Sequence, residues 1–255
     1  MLKSTERFTT RVENYVKYRP GYPPAVLDLL RADCGLTPAS VIADIGSGTG
    51  ILTRMFLENG NRVYGVEPNQ AMREAGEQLL ANTPGFVSIA ATAEETTLPD
   101  QSVDFITAGQ AFHWFDLART RPEFARILKP GGWLVLIWNA RRASSTASLT
   151  DYEQFIKTYG TDYGDVTRTN LDRDDFQAFY SPGSYRLTKF DNRQVFEFEG
   201  LKGRLLSASY APEPGHPNYE PMLADLRRLF DAHQVNGVYT IEYDTDVFTG
   251  QLAAG

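Results

Sequence analysis

The chain has 255 residues, 42% hydrophobic and 22% charged, which is enough apolar material for a substantial core in one α/β domain. Its net charge is −7, so a phosphate backbone would meet repulsion, and no basic run longer than Arg141-Arg142 or Arg227-Arg228 offsets it. Nucleic acid is therefore set aside as a partner. Cys34 is the sole cysteine, Met1 to Arg7 carries no apolar leader, and the strongest apolar run, Trp133 to Trp138, is strand-sized. These features predict a cytoplasmic protein without a membrane span. His113, His216 and His233 stand far apart, so no metal site is expected.

In chain order, Phe8 to Leu30 holds a short helix ended by Arg19-Pro20-Gly21-Tyr22. A second helix opens at Pro23-Pro24-Ala25, where proline suits a first turn, and runs to Arg31. Short apolar strands follow at Val41–Ile45, Arg62–Val66, Phe86–Ala90, Val103–Ala108 and Trp133–Trp138. Helical stretches separate them at Gly50–Glu58, Gln70–Ala81 and Asp116–Leu128. Such alternation predicts parallel strands covered by helices on both faces. The second half reads differently. Helices are expected at Asp151–Tyr159, Asp172–Tyr180, Gly200–Ser209 and Tyr219–Gln234, with strands at Arg186–Phe198 and Val238–Phe248. A closing strand, helix, strand order is compatible with an antiparallel hairpin at one sheet edge. No linker divides the chain, which predicts one domain with a leading lid (1–35), a core (36–140) and a trailing lid with the last strands (141–255).

The chemistry concentrates at Asp44-Ile45-Gly46-Ser47-Gly48-Thr49-Gly50, where a buried strand enters a glycine-rich turn and a helix follows. Glycines let a ligand approach the backbone, and the helix start offers free N–H groups. The next strand ends in Glu67, about twenty residues after the first glycine, where a nucleotide site needs a carboxylate for ribose hydroxyls. A dinucleotide turn wants its third glycine at the sixth position, which is Ile51 here; the glycine comes early, at Gly50. S-adenosylmethionine needs no pyrophosphate turn, and Asp44 suits its ammonium group.

This stretch resembles the first motif of class I S-adenosylmethionine-dependent methyltransferases. Glu67 resembles the acidic end of their second strand, Ala91-Thr92-Ala93-Glu94 with Leu98-Pro99-Asp100 their third region, and Leu128-Lys129-Pro130-Gly131-Gly132 their turn into the fifth strand. The resemblance implies a Rossmann-like, doubly wound, mostly parallel seven-stranded sheet with the last strand antiparallel and helical lid insertions. It also implies that Asp44, Gly46, Ser47, Gly48 and Gly50 surround the methionine moiety, Glu67 the ribose, and Pro68, Thr92 and Ala93 the adenine. Gln110 joins this set, S-adenosylhomocysteine being the product. Thr92 departs from the family, which often has an acidic residue there.

Gln110-Ala111-Phe112-His113-Trp114 follows the fourth strand, on the edge where open α/β sheets bind ligands. It resembles a subgroup similar to trans-aconitate methyltransferase-like enzymes, as does the leading Tyr15, Tyr18 and Arg19-Pro20-Gly21-Tyr22. Substrate contacts are expected from Tyr15, Tyr18, Arg19, His113, Trp114, Trp138, Arg204, Ser207 and Tyr210, with Ser209 a further hydroxyl. Arg19 and Arg204 could clamp a carboxylate. His113 is the candidate base. Aromatics after the fifth strand, among them Tyr152, Phe155, Tyr159, Tyr163, Phe176 and Phe179, line an acceptor pocket or simply pack lid helices. The function expected is methyl transfer to a small-molecule acceptor, at a carboxylate or other oxygen nucleophile. A non-catalytic binder of the same cofactor and an NAD-dependent oxidoreductase are the competing readings.

Overall fold

The structure is a computed structural model in which residues 11–161, 163 and 173–252 are described. Phe8, at the start of the expected first helix, and Asp172, at the start of the second lid helix, lie outside the described residues. Two helices lead, α1 (Val12–Tyr18) and α2 (Ala25–Cys34). Then β1 (Val41–Ile45), α3 (Ile51–Glu58), β2 (Arg62–Val66), α4 (Gln70–Leu80), β3 (Phe86–Ile89), β4 (Val103–Gly109), α5 (Leu117–Ile127) and β5 (Leu128–Arg141) form the alternating half. The remainder comprises α6 (Ala147–Tyr159), α7 (Arg173–Tyr180), β6 (Tyr185–Phe196), α8 (Phe198–Leu206), α9 (Tyr219–His233) and β7 (Tyr239–Gly250).

The seven strands make one sheet in the order β3-β2-β1-β4-β5-β7-β6. The first five are parallel, and β7 runs antiparallel to both β5 and β6. The expected seven-stranded sheet with an antiparallel last strand is therefore present. The edge pair is not a simple added hairpin: β7 inserts between β5 and β6, and two helices separate the strands in sequence.

Period-2 alternation explains the layers. Ile42, Val135 and Ile137 face a core with Leu30, Leu52 and Phe56 from α2 and α3. Ala43, Ile45, Leu134 and Leu136 face the other, with Phe124 from α5 and Phe176, Phe179 and Tyr180 from α7. A third cluster joins α6, α8 and α9 to Tyr239, Ile241 and Tyr243 of β7. That one long strand thus ties the lid layer to the sheet.

Local boundaries differ from expectation for identifiable reasons. Leu128 already pairs with Val103, and the register then shifts so that Trp133 faces Phe105, which makes β5 longer than its apolar run. Phe198 opens α8 instead of ending β6, and α8 stops at Leu206, where the Ser207 N–H is bonded to the Gly203 carbonyl. α6 starts early, at Ala147, because Thr146 Oγ1 accepts the Leu149 N–H and caps it. Among the described residues, no helix is long and apolar enough to cross a membrane.

Tyr180 is fully buried, and its hydroxyl lies 3.2 Å from the carbonyls of both Leu134 on β5 and Phe248 on β7. Tyr180→Phe is expected to lower stability by about 1 kcal/mol in chemical denaturation, the net worth of one buried hydrogen bond. A loss below a few tenths would show that the bond is not made.

Candidate active site

The carboxyl ends of β1, β2 and β4 converge on a cleft with two connected chambers, of about 480 and 320 Å³. Gly46, Gly109, Gln110 and His113 line both and mark where they join.

The loop after β1 is fixed by the backbone. The N–H groups of Gly46 and Ser47 both donate to the Val66 carbonyl at the end of β2, at 2.8 and 3.1 Å. Gly46 has φ 68°, and a Cβ there would fall 2.5 Å from that of Ala111, so no other residue fits. Below the loop, Asp44 is fully buried beside Thr107 in the adjacent strand. Its carboxylate accepts the hydroxyls of Thr53 (2.6 Å) and Thr107 (3.0 Å). Burial pushes its pKa up to about 6, against the pull of those hydroxyls.

Glu67 works differently. Oε2 accepts the Gly48 N–H at 2.9 Å and Oε1 the Asn69 N–H at 2.7 Å, so one carboxylate joins the loops after β1 and β2. Burial raises its pKa, and those two N–H groups oppose the shift. Pro68, Met72, Thr92, Ala93 and Glu94 continue the smaller chamber, with Trp114 and Phe115 also on its wall.

The larger chamber begins at Asp44, Gly46 and Ser47 and extends under the lid to Trp138, Phe176, Arg204, Tyr210 and Tyr243. Tyr15 and Arg19 from α1 line both chambers, as does Tyr210. His113 is mostly buried with no hydrogen-bond partner at Nδ1, and burial lowers its pKa to about 4. Among the described residues no carboxylate bonds to it, so this environment works against the neutral-pH base expected from sequence.

The structure brings most of the sequence-expected residues to this cleft: Asp44, Gly46, Ser47, Gly48, Glu67, Pro68, Thr92, Ala93 and Gln110, with Tyr15, Arg19, His113, Trp114, Trp138, Arg204, Ser209 and Tyr210. Three expected contacts lie elsewhere. Gly50 lines neither chamber; it is the left-handed residue before α3 and faces Leu80. Tyr18 packs over Gly203, where an added Cβ would fall 2.0 Å from its ring, and so docks α1 on α8. Ser207 is fully buried, with its hydroxyl donated to the Arg204 carbonyl at the helix end. Of the lid aromatics, Tyr163 and Phe176 reach the chamber, whereas Tyr152 and Phe155 pack in the third cluster and Phe179 in the sheet core.

Sequence reasoning missed Tyr22, Asn139 and Tyr243. Tyr22 lies on the larger chamber, and burial, with Tyr15 and Asp44 nearby, pushes its hydroxyl well above the usual range. Asn139 stands at the carboxyl end of a parallel strand, a signal that was present. Its Nδ2 donates to the Gly21 carbonyl, and Asn192 Nδ2 donates to the same oxygen. The segment carrying Arg19 and Tyr22 is thereby tied to the sheet edge.

Residues 43–136 match the family model described as a methyltransferase domain. An uncharacterized methyltransferase of Mycobacterium tuberculosis is 43% identical over 136 residues, 52% of each chain. One of Schizosaccharomyces pombe is 33% identical over 135 residues, 52% of this chain and 53% of that one. The chain thus spans about half the length of these curated relatives. A solved structure from Anaeromyxobacter dehalogenans, 20% identical, aligns over 93% of this chain and 100% of its own with TM-score 0.66, which is a likeness of fold. Residues 43–136 are therefore similar to a methyltransferase domain, and the seven-stranded sheet around them shares its fold with that solved structure.

Asp44 yields a stability test. The folded state holds its proton more tightly than the unfolded chain, so the cost of ionising it grows as pH rises from about 4 to 6 and is complete above that. Asp44→Asn is expected to be more stable than the parent at pH 7.5, by on the order of 2 kcal/mol. Denaturation at pH 4 should show that advantage gone; a gain independent of pH would refute the argument.

Proposed function

We propose that the protein is a methyltransferase that uses S-adenosylmethionine to methylate a small-molecule acceptor at a carboxylate or another oxygen nucleophile. The observation that carries this reading is the pair of buried carboxylates, Asp44 and Glu67, on the two chambers of one cleft. Between them a tight glycine loop leaves room for a ligand. The fit is chemical. Asp44 would meet the ammonium of the methionine end, Glu67 has lone pairs left for ribose hydroxyls, and Pro68, Met72 and Ala93 offer an apolar seat for adenine.

When bound, S-adenosylmethionine supplies a methyl group on a sulfonium, which an in-line nucleophile displaces to leave S-adenosylhomocysteine. The chain positions the acceptor and keeps water out: Tyr15 and Arg19 line the cleft from α1, and Trp138 and Phe176 give it an apolar wall. A carboxylate already carries its nucleophilic charge and needs no base, which suits a His113 that stays neutral above about pH 4. The likeness of Gln110 to Trp114 to the trans-aconitate methyltransferase-like subgroup supports a carboxylate acceptor. With a net charge of −7, we read the partner as a metabolite and the setting as cytoplasmic.

Calorimetry with S-adenosylmethionine and S-adenosylhomocysteine tests the cofactor. Glu67→Gln and Asp44→Asn should each weaken binding about tenfold, the loss of one charged hydrogen bond. Parent affinity should rise with pH through about 6 as Asp44 ionises. Binding of neither compound would overturn the reading. Binding without transfer of labelled methyl groups into metabolite extracts would favour a non-catalytic binder. His113→Gln should retain more than about a tenth of kcat, whereas a hundredfold loss would restore the histidine as base.

A further inference from the structure

The charges around the larger chamber do not pair off. Asp246 is paired with Lys189 at 2.9 Å and Glu153 with Arg141 and Tyr163, while Asp44 bonds only the neutral hydroxyls of Thr53 and Thr107 and is the carboxylate assigned above to the cofactor's ammonium. Arg141 is therefore neutralised by its ion pair. Arg19 and Arg204 are not. Arg204 is only 7% exposed, and among the described residues its guanidinium bonds the Tyr243 hydroxyl alone, from Nε at 3.3 Å. Arg19 gives one Nη2 bond to the Ser207 carbonyl at 2.8 Å, lies over the Tyr15 ring, and keeps a buried Nε without a partner. Neither guanidinium has a carboxylate among the described residues. Burial, and then the charge of Arg204, lowers the pKa of Arg19, whereas on Arg204 burial is outweighed by the nearby Tyr243, Tyr210 and Tyr152 hydroxyls, which raise it.

Taking two like charges out of water with nothing opposite them is costly, and a fold keeps such a pair where a ligand supplies the counter-charge. The other wall of the same chamber is apolar. Trp138 meets Phe176 edge-on at 5.5 Å, and Phe176 stacks on Phe248 at 4.3 Å. No further unpaired cation lines the chamber among the described residues.

We infer that the acceptor is a monoanionic acid with an apolar body, its carboxylate received between Arg19 and Arg204 and its hydrocarbon or aryl part against Trp138, Phe176 and Phe248. As an acceptor this rests on the methyltransferase reading; as an anion site it rests on the two arginines alone. The arrangement discriminates on both sides. A neutral analogue leaves the guanidiniums unpaired, and a polycarboxylate must set its remaining charges against the aromatic wall.

The test is calorimetry on protein saturated with S-adenosylhomocysteine, titrated with trans-cinnamate, octanoate, cinnamamide and citrate. At least one of the two apolar acids should bind ten or more times tighter than cinnamamide and than citrate. Arg204→Met should weaken that acid tenfold or more and leave S-adenosylhomocysteine affinity within twofold, which also reports that the variant is folded. Arg204→Lys should recover part of the loss. Equal binding of acid and amide, preference for citrate, insensitivity to Arg204→Met, or no acid binding to a complex that holds S-adenosylhomocysteine would each overturn the inference. Failure of S-adenosylhomocysteine itself to bind is a different result and removes the methyltransferase reading.

Discussion

The site depends on one carboxylate holding two loops. Glu67 takes the Gly48 N–H with one oxygen and the Asn69 N–H with the other, so the turns after β1 and β2 cannot move independently. Charged acceptors bind backbone donors strongly, and here the bonds form in a buried setting where water competes little. The smaller chamber keeps its shape because of this clamp. Loss of the side chain would leave two buried N–H groups unsatisfied as well as remove a ligand contact. Parallel pairing of β1 with β2 places the two loops side by side, and the Val66 carbonyl bonded to Gly46 and Ser47 sets their register.

The alternating half was legible because its information is local. Each strand is buried on both faces and reads as an apolar run, breakers separate the elements, and right-handed crossovers leave few topologies. Asp44, Gly46, Gly48 and Glu67 sit at strand ends, so their meeting follows once the strands are parallel neighbours. The second half was not legible in the same way. The antiparallel last strand was expected, but nothing near Tyr243 signals that β7 inserts between β5 and β6, and that insertion carries Tyr243 to the chamber. Conversely, Gly50, Tyr18 and Ser207 looked like ligand contacts from motif position. They serve instead a helix start, a helix–helix contact and a helix end.

On the proposed reading, the same division separates donor from acceptor chemistry. The matched methyltransferase domain ends at residue 136, within β5. It contains both carboxylates and the loops beside them. Trp138, Phe176, Arg204, Tyr210 and Tyr243 all follow it. On that reading the donor site belongs to the matched segment and the acceptor wall to the lid, which meets the sheet through β7, through α7 and through Gly21, held by Asn139 and Asn192.

Unsatisfied groups mark where this fold departs from the arrangement of lowest energy. Among the described residues, Arg19 Nε, His113 Nδ1 and Arg141 Nε are buried without a partner on the larger chamber, and the Thr49 and Thr120 hydroxyls are so away from it. Each such group costs about 1–3 kcal/mol relative to a bonded one, a substantial fraction of the stability of a typical domain. Tyr180, by contrast, finds two carbonyls for its single hydroxyl. On the larger chamber the three unpartnered nitrogens stand with the buried Asp44 carboxylate, so polar atoms there face the cavity a ligand would fill. Any ligand stabilises the folded state by the free energy it recovers there, so occupancy of either chamber is coupled to the docking of α1, whose Tyr15, with Arg19 at the helix end, lines both.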